Sequence, residues 1–357
     1  MDITTTQMIA LLRCSLNGHD PKPLPCSTEE WEKLYWLARK HGVVTMINDV
    51  IEKLPPDRQP QGDIALSWPL SADRTRYHYA RQAEVLEKLR QKASAQGLRI
   101  LVLKGIGLSR LYPVPSSRAC GDIDLLFLPL SRQSFDAGNR LLGINNNKVH
   151  GKHTETIIDG VPVENHLTFL DLNYASQKSA EQYIRSSLSD VTSEGFLPPM
   201  ADMVYLLMHT VSHFTAQFKL PLRNILDWGM FLQANRKVLS PQECHHVMRQ
   251  IGMTDAFNML TQMAGEFIGT DLSDFISKPI RRRDADRMRE LILDKKHIEY
   301  IPKGLSPIQR FMTRISRNNH NRWLYRYLPS SRRERIKKNY RHLLRKIKLR
   351  RKTGSKH

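Results

Sequence analysis

The spacing of apolar residues divides the chain into helical regions on either side of a short central stretch. Apolar residues recur at helical spacing over 31–38, directly after a capping box at 27–30. A long helix is predicted from about residue 72 to residue 95. Helical periodicity returns over 203–214 and 222–234.

In the central stretch the period changes to that of β-strands. The apolar run 99–103 ends in a Lys-Gly turn, and 122–127 has the pattern of a second strand. Two further runs, 154–158 and 161–167, flank an Asp-Gly pair, which indicates a β-hairpin. The sequence therefore predicts a small α/β centre embedded between helical segments.

These patterns divide the chain into four parts. Residues 1–97 form a helical N-terminal segment and residues 98–175 an α/β core. Residues 176–305 form a helical domain, and residues 306–357 a basic helical tail.

Composition narrows the class of protein. The 357 residues are 40% apolar and 25% charged, which allows a sizeable core and argues against general disorder. No apolar run approaches the ~20 residues needed to span a bilayer, and the start lacks the pattern of a secretory signal. The four cysteines form no CxxC pair, which suits a reducing compartment. We therefore expect a cytoplasmic protein.

The charge is concentrated in the tail. Of a net charge of +20, residues 310–357 carry +17 and the other 309 residues only +3. A capping box at 331–334 and an apolar stripe over 336–347 predict a cationic amphipathic helix. Its basic face comprises Arg332, Arg333, Lys337, Lys338, Arg341, Arg345 and Lys346. The stripe either packs on the body, with the basic face in solvent, or the helix binds nucleic acid or an anionic membrane.

The candidate chemistry lies on the second strand. Alternate strand residues share a face, so Asp122 and Asp124 point the same way and repel each other unless one is protonated or a cation lies between them. Mg²⁺ suits such oxygen ligands, although a solvated Asp-x-Asp without a role is the simpler alternative. Upstream, the Lys104-Gly105 turn opens a helix at which backbone N–H groups can face a phosphate. Glu164 adds a third carboxylate on a predicted strand.

A set of short motifs carries a family resemblance. The Lys-Gly turn at 104–105 is followed by Leu-Tyr-Pro at 111–113, by Arg118, and by Gly-Asp-Ile-Asp-Leu at 121–125. This order resembles a bacterial family of uncharacterised nucleotidyltransferases, over roughly residues 28–235. The resemblance implies an α+β fold, with a small mixed-sheet core like that of DNA polymerase β flanked by helical regions.

The resemblance also implies a reaction. A nucleoside monophosphate would pass from an NTP to a hydroxyl of an unknown acceptor, with release of pyrophosphate. Asp122 and Asp124 would hold two Mg²⁺ ions, and Glu164 would complete one metal site and activate the acceptor hydroxyl. The nucleotide-binding residues implied are Lys104, Gly105 and Arg118. Two departures from the usual pattern are the lysine where such turns carry Gly-Ser or Gly-Gly, and a glutamate as third acid.

Six further residues are candidates for the acceptor side: His153, His166, His209, His213, Arg223 and Asp227. His209 and His213 share a helix face without a third zinc ligand, which favours core or cleft-lining histidines. Arg223 and Asp227 are also four residues apart, and an ion pair between them is the simplest expectation.

Two further alternatives remain open at this stage. The chain could be a catalytically weak or inactive relative that binds RNA or an anionic membrane through its tail, at the inner membrane surface in the second case. It could also be a transferase whose acceptor is RNA (tRNA included), a small molecule or a protein.

Overall fold

The computed structural model describes residues 1–145, 149, 151–217, 220–293, 306–320 and 322–329, together with 333, 334, 336, 337 and 340 in the tail. The N-terminal part consists of four helices: α1 (Ile3–Asn17), α2 (Thr28–His41), α3 (Val44–Ile51) and α4 (Asp63–Ser94). The predicted cap of α2 is confirmed, because the Ser27 side chain accepts from the Glu30 N–H at 3.2 Å.

Helix α4 begins earlier than the sequence pattern predicts. It starts at Asp63 rather than near residue 72 and continues through Pro69. Ile64 and Trp68 are buried in this first part, and the Trp68 ring packs edge-on against Trp31 at a centroid distance of 6.1 Å. Tertiary packing therefore accompanies an earlier helix start, although proline is unfavourable inside a helix.

A four-stranded mixed sheet forms the centre, with two helices between its strands. Its elements are β1 (Arg99–Val102), α5 (Ile106–Ser109), β2 (Ile123–Leu128), α6 (Arg132–Leu141), β3 (His153–Ile158) and β4 (Val161–His166). The strand order is β1-β2-β4-β3, with β2 and β4 parallel and the other two pairs antiparallel. The predicted hairpin is confirmed as β3 and β4, and the α+β fold class is likewise confirmed.

The two faces of the sheet are covered differently. On one face, Ile123, Leu125 and Phe127 of β2 belong to an apolar cluster with residues of α4. Helix α6 lies so close to this face that a Cβ on Gly138 would meet the Phe127 ring at 2.3 Å. On the other face, Leu126 and Leu128 join the large core of the helical regions. Asp124 alternates with Leu126 and Leu128 along β2, so its side chain lies on this second face.

In the described part of the chain, the sheet is followed by the helices α7 (Ala175–Ser186), α8 (Pro199–Gln217), α9 (Leu222–Asn235), α10 (Pro241–Gln250), α11 (Thr254–Ile268), α12 (Arg282–Ile292) and α13 (Pro307–His320). Helices α7 to α12 share one apolar core with the N-terminal helices. Arg13 and Asn17 of α1 donate hydrogen bonds to the carbonyls of Glu266 and Ile268 at 2.5 and 2.8 Å. The N-terminal segment and the helical domain therefore pack as one body, and the four-part division of the chain stays a prediction.

A buried polar triad ties the sheet region to α9. The guanidinium of Arg118 makes a bidentate contact with Asp227, with Nε–Oδ1 and Nη2–Oδ2 distances of 2.7 Å, and Tyr112 donates to Oδ1 at 2.7 Å. All three side chains are buried. The expected Arg223–Asp227 pair is not formed, since Arg223 instead donates to the carbonyl of Ala119 at 2.9 Å. Asp227 therefore pairs with an arginine from a distant part of the chain and not with the arginine four residues before it on the same helix.

Most of the predicted tail helix lies outside the described residues, including Arg332, Lys338, Arg341, Arg345 and Lys346. Arg333 and Lys337 are described, and both are helical and exposed. In the part of the chain that the structure describes, no helix combines the length and apolarity that a membrane crossing requires.

Replacement of Asp227 by Asn should destabilise the fold by about 3–5 kcal/mol, because it leaves the buried Arg118 charge without its counter-ion. The matched control is Asp274→Asn, which breaks the partly exposed pair with Arg236 at 2.9 Å and should cost less than about 1 kcal/mol. Urea denaturation of both variants measures the difference. An equal loss of unfolding free energy in the two variants would contradict a structural role for the triad.

The buried carboxyl of Asp202, in the first turn of α8, generates a pH-dependent prediction. Burial raises the pKa of Asp202 from 3.8 to about 7, although Arg110 acts in the opposite direction. The folded state therefore holds a proton that the unfolded chain releases above pH 4, so this group lowers stability progressively between pH 4 and 7. The stability of Asp202→Asn relative to the wild type should therefore increase across that interval, by about 4 kcal/mol once the pH exceeds 7. Denaturation at pH 4, 5.5 and 8 tests this, and a gain independent of pH would exclude it.

Candidate active site

Three carboxylates meet where β2 and β4 lie side by side. The parallel register pairs Asp124 of β2 with Glu164 of β4, and Asp122 lies directly before β2. One oxygen from each carboxylate lies within 4.8 Å of those of the other two. Asp124 is fully buried, whereas Asp122 and Glu164 are half-buried. The predicted grouping of the three acids is therefore reproduced in space.

The turn after β1 brings a cation to these acids. The Lys104 Nζ lies 2.9 Å from Asp124 Oδ2 and 3.6 Å from Asp122 Oδ2. Gly105 follows with φ 58° and ψ −114°, a conformation that side-chain-bearing residues rarely adopt. A Cβ at this position would lie 3.1 Å from the carbonyl oxygen of Asp122. Glycine is thus required for the turn to approach the acid-bearing loop.

Two histidines contact the same carboxylates. His166 Nε2 lies 2.9 Å from Asp124 Oδ1 and 3.2 Å from Glu164 Oε2, and its side chain is 1% exposed. His153 Nδ1 lies 3.3 Å from Glu164 Oε2. Both were predicted on the acceptor side. The structure places them against the carboxylates, with His153 paired directly with His166 in the β3–β4 register, and their role toward the acceptor stays a prediction.

Opposite charges in the cluster stabilise one another. Burial by itself would raise the pKa of Asp124, but the hydrogen bond to His166 and the charge of Lys104 outweigh it and hold that pKa well below its usual range. Burial would lower the pKa of Lys104, yet Asp124 and Asp122 raise it. Asp124 and Lys104 are therefore both charged at neutral pH, and each stabilises the charged form of the other.

A cavity of about 240 Å³ opens beside the acids, between the sheet and the helices α8 and α9. Lys104, Gly105 and Asp122 line it on the sheet side. On the helical side it is lined by His209, Thr210, Arg223, Asn224, Asp227 and Trp228. Asp122 of the carboxylate cluster therefore shares this cavity with His209, Arg223 and Asp227, three of the residues predicted for the acceptor side.

The other predicted residues differ in their freedom to bind a ligand. Arg118 borders the cavity, but its guanidinium is engaged by Asp227, so a phosphate would have to compete with a buried ion pair. The same contact engages Asp227. His209 lines the cavity, whereas the side chain of His213 lies outside the described residues.

The acid cluster fits a divalent ion with hard oxygen ligands. Its three donors are carboxylates, and the buried Asp124 Oδ2 is contacted by the Lys104 ammonium at 2.9 Å, a position that a cation can take. Carboxylate oxygens are the ligands that Mg²⁺ takes in proteins. Lys104 supplies the positive charge that this arrangement requires when no metal is bound.

Sequence analysis did not identify every residue around the site. Tyr205 on α8 is fully buried, and its hydroxyl has no hydrogen-bond partner in the described structure. Burial, and after it the charge of Asp124, raises the pKa of Tyr205 well above its usual value. The sequence signal that could have identified Tyr205 is its position four residues before His209, which places the two residues on one helix face. Their rings lie 5.9 Å apart.

Comparison with known proteins agrees with this geometry. A family model described as uncharacterised nucleotidyltransferase matches residues 27–269. That range begins at the cap of α2 and ends after α11, so it includes the sheet, the carboxylate cluster and the cavity-lining helices. No curated protein and no solved structure matched the chain. The match covers more than half of the sequence, and the chain therefore belongs to the uncharacterised nucleotidyltransferase family.

Proposed function

We propose that this protein transfers a nucleoside monophosphate from an NTP to a hydroxyl of its acceptor, in a Mg²⁺-dependent reaction that releases pyrophosphate. The observation that carries the proposal is the convergence of the Asp122, Asp124 and Glu164 carboxylates beside the Lys104-Gly105 turn, at the edge of a cavity. Membership of a nucleotidyltransferase family supports the reaction class.

The carboxylates would hold the metal. Asp122 and Asp124 would each offer oxygens to Mg²⁺, with Glu164 completing the set; two ions are expected. Bound Mg²⁺ would neutralise charge on the triphosphate and stabilise the attacking and leaving oxygens of an in-line displacement. His166 would hold the Asp124 carboxylate in place through the 2.9 Å contact at Oδ1, and the metal would take the place of Lys104 at Oδ2.

The turn would bind the triphosphate. Gly105 has no side chain to separate its backbone from a phosphate, and Lys104 supplies a charge next to it. In the structure Lys104 is paired with Asp124 and Asp122, so metal binding would free the ammonium group to contact phosphate oxygens instead. Arg223 is a second cation in the cavity wall, on the side of α9.

The acceptor would approach Glu164. Its half-buried carboxylate would take the proton of the acceptor hydroxyl as the oxygen forms a bond to the α-phosphorus and the bond to pyrophosphate breaks. The donor base and the acceptor stay open. Among acceptors, RNA is favoured slightly over a small molecule by the +17 charge of the last 48 residues.

One NTP should stabilise the wild-type protein in the presence of Mg²⁺, and the effect should disappear in Asp124→Asn. Ligand that binds the folded state alone adds about 2.7 kcal/mol at a hundredfold excess over Kd. A thermal-shift panel of ATP, GTP, CTP and UTP, with and without Mg²⁺, measures this. The nucleotide that shifts the wild type then serves, with label in its α-phosphate, to search for the acceptor.

The matched control is Asp159→Asn. Asp159 lies in the β3–β4 turn and pairs with Lys88 on the surface, so this change should leave the nucleotide shift intact. A flat panel for the wild type, with Asp124→Asn no different, would count against transfer. It would favour the alternative of an inactive relative that binds through its tail.

Lys104→Met should change metal and nucleotide binding in opposite directions. Without nucleotide, loss of the competing ammonium should tighten Mn²⁺ binding at the acid cluster, by roughly tenfold for each 1.4 kcal/mol of lost competition. The affinity for the NTP with its metal should fall, because a phosphate-binding charge is gone. Mn²⁺ electron paramagnetic resonance and calorimetry measure the two affinities. Weaker binding of both ligands would rule out the proposed exchange of partners.

A further inference from the structure

A second set of donors lies beside the three acids. His153 and His166 are direct cross-strand partners at one end of the β3–β4 hairpin, and their rings lie 5.2 Å apart. Glu164 lies two residues before His166 on the same face of β4. One atom from each of these three side chains lies within 4.8 Å of the other two. The paired strands hold all three donors in one small region.

The spacing of the donors fits a metal ion. Glu164 Oε2 lies 3.2 Å from His166 Nε2 and 3.3 Å from His153 Nδ1. In tetrahedral coordination the distance between two ligands is about 1.6 times the metal–ligand distance, so Zn²⁺ at ~2.0–2.1 Å requires ligand spacings of about 3.3 Å. The two distances that involve Glu164 already have this value.

Ordinary hydrogen bonding does not account for the contact of His153 with Glu164, and the hydrogen bond of His166 Nε2 to the same carboxylate is long, at 3.2 Å. His153 Nδ1 is buried and has no hydrogen-bond partner in the described structure, although it faces Glu164 Oε2. Charge-assisted N–H···O⁻ bonds are typically about 2.7–2.9 Å long, and both contacts to Glu164 are longer. A buried nitrogen that faces a carboxylate oxygen without a hydrogen bond between them is an arrangement that a bridging cation would satisfy.

The local charges also favour this site over the acid cluster for a metal in the absence of nucleotide. Lys104 already lies between Asp122 and Asp124, and a metal there must displace it. Among the described residues, no Lys or Arg forms an ion pair with Glu164, which contacts the two histidines. A metal at the histidines would replace their direct contacts with Glu164 by coordination and would break the contact of His166 Nε2 with Asp124.

We propose that His153, Glu164 and His166 bind a divalent transition-metal ion, with Zn²⁺ the best fit. Imidazole nitrogens prefer Zn²⁺ and similar ions, whereas Mg²⁺ requires oxygen ligands. Three protein ligands leave one position open for water or for a substrate oxygen. The proposed site shares Glu164 with the Mg²⁺ site, but its existence does not depend on nucleotidyl transfer.

The test is Zn²⁺ binding to full-length, tag-free protein that has been stripped of metal, measured without nucleotide by competition with a chromophoric chelator. Wild type should bind one Zn²⁺ at this site, and His153→Gln should bind it more than about tenfold more weakly, since even the loss of a residue that only orients a ligand costs 10–100-fold. The control is His246→Gln, on the exposed face of α10, which should bind as the wild type does. Circular dichroism and melting establish that each variant is folded.

Two further measurements separate this proposal from the transferase. His153→Gln should keep the Mg²⁺-dependent nucleotide shift of the wild type, so loss of Zn²⁺ binding alone identifies the histidine site. X-ray absorption at the zinc edge of the wild type, which needs no variant, should show two imidazole ligands. Equal Zn²⁺ affinity in wild type and His153→Gln, or a zinc spectrum without imidazole, would overturn the proposal whatever the nucleotide panel gives.

Discussion

The burial of Asp124 imposes the main constraint on this structure. A carboxylate without exposure to water is stable only when positive or hydrogen-bonding groups surround it. Lys104 from the turn after β1 and His166 from β4 meet this need at 2.9 Å each. The neighbouring strands on both sides of β2 therefore supply the groups that neutralise one residue in it.

This constraint also explains the local backbone. For Lys104 to reach Asp124, the turn after β1 must lie against the loop that carries Asp122, and Gly105 permits that approach. The amide of Leu103 donates to the carbonyl of Asp124 at 3.1 Å, which extends the β1–β2 contact up to the turn. The Lys-Gly and Asp-x-Asp motifs are thus two halves of one packed arrangement.

The family motif divides into residues of two kinds. Lys104 and Asp122 line the cavity, and the buried Asp124 is paired with Lys104. Tyr112 and Arg118 instead clamp Asp227, more than a hundred residues away, and fix α9 against the sheet region. A motif read along the sequence therefore joins residues suited to chemistry with residues that position the opposite cavity wall.

The sequence by itself determined the strands of the sheet, its hairpin, the cap of α2 and the three acids, because these depend on local periodicity, turn chemistry and alternation within strands. Only the tertiary structure decided which side chains pair or pack with one another. It extended α4 through Pro69 by burying Trp68, and it paired Asp227 with Arg118 rather than Arg223. It also placed His153 and His166 against the acids, through strand pairing. Ion pairs and ligand sets depend on distances between elements, which periodicity along one element does not contain.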